Sequence, residues 1–163
     1  MPVNPKVLEV IEKAKALERE YRRLTGRPLG VTGEVGEVLA ASLLGLDAAE
    51  VRNPGYDASE MKDGVTPCRY QIKTRVVRSG KKPGGRLGRI DRNKPWDSVL
   101  MVLLDENLNV MAIYEAGRPT VEAALDKSDS KARKRGALAI SEIIAKATLR
   151  WPLPLSTGQE VRR

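Results

Sequence analysis

Residues 53–77 read Asn53-Pro54-Gly55-Tyr56-Asp57-Ala58-Ser59-Glu60-Met61-Lys62-Asp63-Gly64-Val65-Thr66-Pro67-Cys68-Arg69-Tyr70-Gln71-Ile72-Lys73-Thr74-Arg75-Val76-Val77. Asn53-Pro54-Gly55 is turn chemistry, and Lys62-Asp63-Gly64 reverses the chain between two extended arms. In the returning arm, from Pro67 to Val77, Tyr70, Ile72 and Val76 alternate with polar residues. Side chains on a strand alternate between faces, so Gln71, Lys73 and Arg75 share one face while Tyr70, Ile72 and Thr74 take the other. The stretch predicts a β-hairpin with one apolar and one chemically equipped face, and Glu50–Arg52 is expected as a short strand before it.

Helical patterns precede the hairpin. Asn4-Pro5 is a cap and first-turn pair, and Val7, Leu8, Val10, Ile11, Ala14, Leu17, Tyr21 and Leu24 recur at helical spacing up to Gly26, which predicts a packing helix over 5–25. After Arg27-Pro28, Thr32 is expected to cap a second helix carrying Glu34 and Glu37 and ending at Gly45. Downstream, Ser98–Leu104 is almost wholly apolar, Asp105–Asn109 is a turn, and Val110–Glu115 is a further strand. Pro119–Leu125 reads as a short helix, and Ser141 as the cap of a helix carrying Ile143, Ile144, Ala147 and Leu149, with Pro152 and Pro154 ending regular structure.

The chain has 163 residues, 41% of them hydrophobic, which suits one core and argues against two domains. Aromatics reach only 4% and Phe is absent, so Val, Ile, Leu and Ala must fill that core. The expected organisation is a single domain over 1–155, made of an N-terminal helix (1–27), a core (28–115) and a helical C-terminal part (116–155), with a flexible tail at 156–163. Helices on both sides of a central mixed sheet give an α/β class.

Twenty-nine Lys and Arg against 21 Asp and Glu leave a net charge of +8, which directs attention to polyanions. The cations cluster twice. Lys81, Lys82, Arg86, Arg89, Arg92 and Lys94 stand in a Gly- and Pro-rich segment, 79–94, read as a mobile loop. Lys131, Arg133, Lys134 and Arg135 form the second run. No apolar run approaches the roughly 20 residues that cross a bilayer, so nucleic acid is preferred to a membrane. Histidine is absent and Cys68 is the one cysteine, which excludes serine-histidine triads, histidine-based nucleases, zinc fingers and internal disulfides. With Met1-Pro2-Val3-Asn4 unlike a secretory leader, the expected compartment is the cytoplasm. No Gly-Lys-Ser/Thr closes a phosphate-binding loop. Tyr21, Tyr56, Tyr70 and Tyr114 are scattered, unlike an RNA-stacking platform.

A helical Glu, an Asp at the start of a hairpin and Gln-x-Lys on its returning arm remain. If the hairpin brings Asp57 to Gln71 and Lys73, and the helix lays its Glu over the same sheet face, the group makes a divalent-cation site. Through Gly33-x-x-Gly36-Glu37-x-x-Ala40, Gly55-Tyr56-Asp57 and Gln71-Ile72-Lys73-Thr74-Arg75, residues 30–115 resemble the PD-(D/E)xK nuclease superfamily, the restriction-endonuclease-like proteins. The resemblance implies an αβββαβ core, here with an extra N-terminal helix, and Mg²⁺- or Mn²⁺-dependent hydrolysis of phosphodiesters, with DNA the usual substrate and a homodimer possible. It implies Asp57 as main metal ligand, Glu37, the Gln71 side chain and the Ile72 carbonyl as further oxygens, Lys73 beside the attacking water or the phosphate, and Arg75 as a phosphate clamp.

Gln71 departs from the usual carboxylate and supplies no formal charge. Glu60 could replace it only through a bulge, because its odd spacing from Asp57 points it to the other face. Glu34 is the alternative to Glu37. The rival reading is a nucleic-acid-binding protein of the same fold whose catalysis has faded.

Overall fold

The computed structural model describes residues 3–50 and 52–152. The expected tail, 156–163, and Pro154 lie outside them. Two helices come first, α1 (Pro5–Thr25) and α2 (Thr32–Leu44), followed by β1 (Asp47–Ala48), β2 (Ala58–Lys62), β3 (Thr66–Val76), β4 (Ser98–Leu104) and β5 (Val110–Gly117). Three short helices, α3 (Arg118–Asp126), α4 (Lys131–Lys134) and α5 (Ile140–Lys146), precede a last strand, β6 (Thr148–Trp151). The strands form one six-stranded sheet in sequence order. Every neighbouring pair is antiparallel except β3 and β4, which run parallel from Tyr70↔Ser98 to Val76↔Leu104. The chain is therefore α/β with a mixed sheet between helical layers.

All seven residues of β4 are buried, as an apolar run between two covered faces requires. On one side Leu100, Val102 and Leu104 join Tyr70, Ile72 and Ala58 beneath Val35, Ala40 and Ala41 of α2 and Ile11 of α1. On the other, Val99, Met101 and Leu103 meet Val121 and Ala124 of α3, Ile140 and Ile143 of α5, and Leu87, Ile90 and Trp96. Those last three residues belong to the crossover between β3 and β4. No helix forms there; Gly80, Pro83, Gly84, Gly85 and Gly88 resist one. An αβββαβ order would place a helix at this point.

The crossover is fastened rather than loose. Leu87 N donates to Leu138 O, Ile90 N to Gly136 O and Ile140 N to Gly85 O, so 85–90 runs against 136–140. Gly136 permits the contact: its φ is +76°, and a Cβ there would lie 2.0 Å from Ile90 O. The expectation of a mobile loop overlooked Leu87 and Ile90, which are buried and pin it.

Other expectations are corrected locally. The strand anticipated at 50–52 falls at Asp47–Ala48; Val51 is outside the described residues, and Arg52 has a φ of +66°, which no strand accommodates. Val31 occupies the cap of α2 with no side-chain bond, in place of Thr32, and Ala139 caps α5 in place of Ser141. The C-terminal part is not wholly helical. Ala147 turns extended, and Leu149 pairs with Tyr114 in β6 instead of continuing α5.

Helix α1 has the expected bounds and Asn4 cap but turns a different face inward. It buries Ile11, Lys15 and Glu18. Lys15 Nζ donates to Asn109 Oδ1 at 2.8 Å, and Glu18 accepts from Leu29 N and Arg22 Nη2, both at 2.5 Å. Val7, Val10, Leu17, Tyr21 and Leu24 stay exposed.

Helix α2 lies directly on β3. A Cβ at Gly36 would come within 2.0 Å of Thr74 Oγ1 and 2.8 Å of Thr74 Cβ. Gly36→Ala is expected to destabilise the protein by about 1–3 kcal/mol through overpacking, and Thr74→Ala in the same chain should restore part of the loss; urea unfolding of the three variants measures both.

Candidate functional site

The β2–β3 ladder closes at Ala58↔Tyr70, and one residue earlier Asp57 N donates to Tyr70 O at 2.8 Å. Beyond that point β2 ends while β3 continues to Val76, so the flank of β3 is taken over by a side chain. Asp57 Oδ2 accepts the Ile72 N–H at 2.6 Å. The N–H and C=O of one strand residue point to the same edge. The Ile72 carbonyl therefore faces the side on which Asp57 stands, as the resemblance requires of those two oxygens.

Glu37 reaches this edge from α2, next to the Gly36 contact with Thr74. Its carboxyl group is raised from the ordinary 4.5 to about 7, first by burial, then by the negative charges of Asp57 and Glu34, with Lys73 acting in opposition. Acidic groups from α2 and from just before β2 repel one another in a half-buried place, with one ammonium in range. Glu34, Glu37 and Asp57 line a cleft of about 740 Å³ together with Val3, Asn4 and Val7.

Gln71 and Lys73 are placed differently from the expectation. Helix α2 covers the face that carries Tyr70, Ile72 and Thr74. By alternation Gln71, Lys73 and Arg75 belong to the opposite face, where Arg75 donates to the Arg86 carbonyl. The predicted group thus does not share one face: Glu37 belongs to the helix above the sheet, Asp57 and the Ile72 carbonyl stand at its edge, and Gln71 and Lys73 belong to the opposite face. Gln71 Oε1 is buried with no hydrogen-bond partner in the structure. A buried acceptor left unpaired is costly and is the kind of oxygen a cation satisfies. Among the described residues no three Asp, Glu, His or Cys side chains are gathered to hold an ion by themselves. A cation here would need the neutral oxygens as well, and that donor set, all hard oxygen, suits Mg²⁺ or Mn²⁺.

Glu60 does not substitute for Gln71. The β2 register is continuous, with no bulge. The Glu60 side chain accepts from the Tyr70 hydroxyl and, at 3.2 Å, from Arg150 Nη2. Arg150 also binds Glu115, which takes Lys62 Nζ at 3.2 Å and Ser98 Oγ at 2.8 Å. Burial pushes the Glu115 carboxyl up, and these donors outweigh it and hold it below its ordinary value. The sequence offered no sign of this network, since it joins β2, β3, β4, β5 and β6 through registers fixed only in three dimensions.

The two basic runs, distant in sequence, are brought side by side where 85–90 pairs with 136–140. Lys81, Lys82, Arg86 and Arg89 are exposed, as are Lys131, Lys134 and Arg135, and Lys94 is half-buried. Four of the cations assigned to nucleic acid have partners of their own: Arg75 donates to the Arg86 carbonyl, and Lys134 lies 4.0 Å from Asp129. Arg92 pairs with Asp126 at 2.7 Å, and half-buried Arg133 pairs with Glu142 at 3.0 Å while also donating to Ala124 O. No described helix is long and apolar enough to cross a membrane.

Compared with models of known protein families and with curated proteins, the chain matches none.

Because the Glu37 carboxyl is raised in the folded state, its ionisation opposes folding: the stability present below about pH 4.5 is lost progressively as pH rises through about 7. In metal-free buffer Glu37→Gln is expected to match the wild type near pH ~4 and to melt at a higher temperature near pH ~8; thermal unfolding across that range checks the divergence.

Proposed function

We propose that this protein is a metal-dependent nuclease acting on DNA, built on a variant of the restriction-endonuclease-like core. What carries the reading is the edge of β3, where the Asp57 carboxylate meets the Ile72 amide at 2.6 Å beside a Glu37 whose ionisation its acidic neighbours oppose. Asp57 and Glu37 would hold Mg²⁺ or Mn²⁺ by charge, and the Ile72 carbonyl and the unpartnered Gln71 Oε1 would add neutral oxygens. When bound, such an ion supplies positive charge that lowers the barrier to attack on a phosphodiester.

The chain's own groups do the rest. Lys73, whose charge is felt by Glu37, would orient a water or offset charge on the phosphate. Exposed Arg86, Arg89, Lys131, Lys134 and Arg135 would hold the backbone of the nucleic acid without reading bases. Arg92 and Arg133, engaged with Asp126 and Glu142, serve the fold.

A second reading, binding without cleavage, is favoured by one observation: no acidic triad gathers around Asp57, and Gln71 brings no charge. The two are separated by incubating the purified chain with duplex, branched and single-stranded DNA and with RNA, with and without Mg²⁺ or Mn²⁺. Cleavage is expected only with metal, and Asp57→Ala and Lys73→Ala should each lower its rate by about 10²-fold or more. Gln71→Glu should tighten the metal requirement to lower concentrations. A wild type that binds but never cuts, with both alanine variants binding equally well, decides for the second reading.

Affinity should fall steeply with salt, and each of Arg86→Ala, Arg89→Ala and Arg135→Ala should reduce the slope of log K against log salt by about 1. Arg92→Ala should act on stability instead, which thermal melts of the same variants will show.

A further inference from the structure

Helix α1 carries an apolar stripe that the fold does not use. Val7, Val10, Ala14, Leu17, Tyr21 and Leu24 are spaced alternately three and four residues apart along the helix. This is the heptad pattern of a coiled-coil seam. Val10 is 59% exposed, Leu17 56% and Leu24 66%, whereas the face that meets the sheet is made by Ile11, Lys15 and Glu18. At 100° per residue the stripe lies about 100° around the helix from that inner face. It is therefore free to accept a helix lying alongside without disturbing the docking of α1. The seam spans most of a helix of 21 residues, about 30 Å at 1.5 Å per residue.

We propose that α1 pairs with α1 of a second copy of this chain as an antiparallel two-helix coiled coil. Charge selects both the occupant and the direction. With Ala14 set against Leu17 of the second copy, Val10 meets its Tyr21 and Val7 its Leu24. The positions that flank this seam on the solvent side then bring Lys13 opposite Glu20 of the second copy, and by symmetry Glu20 opposite its Lys13. Both residues are exposed. A parallel pair would oppose Lys13 to Glu18, which is fully buried and already bonded to Leu29 N and Arg22. Self-pairing in the antiparallel sense satisfies every position of the seam with this chain's own residues, so the pattern needs no different partner. Val7 also lines the cleft that holds Glu37 and Asp57. The pairing seats Leu24 of the second copy at the rim of that cleft. The dimer does not rest on the nuclease reading.

Sedimentation equilibrium of the full chain over a wide range of concentration tests it. The wild type is expected to reach twice the mass of the chain. Leu17→Glu should raise the dissociation constant by about 100-fold or more, since it places a charge in each of the two central layers of the seam. Lys13→Glu should raise it by about fivefold, and Lys13→Glu combined with Glu20→Lys should return it to within about threefold of the wild type. Circular dichroism and thermal melts confirm that the variants fold, as exposed positions allow. A wild type that stays monomeric throughout overturns the proposal, as does a dimer indifferent to Leu17→Glu, or one in which the double charge reversal is no better than Lys13→Glu alone.

Discussion

The parallel ladder between β3 and β4 governs the architecture. Parallel neighbours cannot be joined by a tight turn, so the chain must leave the end of β3, cross a face of the sheet and return to the start of β4. That route, together with α3 and α5, covers the Val99, Met101 and Leu103 side, while α1 and α2 cover the other. With both faces closed, β4 can be apolar along its whole length. The same ladder carries β3 from Tyr70 to Val76, past Ala58 where the pairing with β2 ends. The excess leaves a flank that β2 does not cover, and the Asp57 carboxylate occupies it.

An edge site differs physically from a face site. On a face, groups must be reached through side chains alone; at an edge, main-chain oxygens are available too. Asp57 occupies the N–H of Ile72 and leaves its carbonyl on the same side. A chain with few carboxylates to spare can then complete a donor set with neutral oxygens. Gly36 has a part in this: its missing side chain lets α2 settle against Thr74, which brings the adjacent Glu37 to the edge. The glycine of the helical motif is thus a packing residue, and the glutamate beside it is set by that packing.

Much of this was legible in the sequence where the determinants are local. The hairpin through Lys62-Asp63-Gly64 placed Asp57 beside β3 because hairpin register follows from the turn, and the bounds of α1 followed from Asn4, Pro5 and Gly26. The buried run of β4 was visible as unbroken apolarity. What escaped depends on long-range fit. Apolar spacing identified α1 as amphipathic but could not say which stripe the sheet would take, and it took Ile11 with Lys15 and Glu18, whose polar atoms find partners in Asn109 and Leu29. Strand β6 was hidden because Thr148–Trp151 is short and its identity comes from pairing with β5. The face on which Glu37 approaches was misread for the same reason: nothing in the hairpin says which side a preceding helix will cover.

The fastening of residues 85–90 by 136–140 carries a consequence for biosynthesis. A ribosome delivers the crossover well before the segment that secures it, so a nascent chain halted short of residue 136 holds Leu87 and Ile90 with nothing to lock them down. Long-range pairings of this kind are late events, and apolar surface displayed in the interval invites chaperones or aggregation. Truncation ahead of residue 136 should therefore harm solubility, because it removes the strand-like segment that Leu87 and Ile90 pack beside.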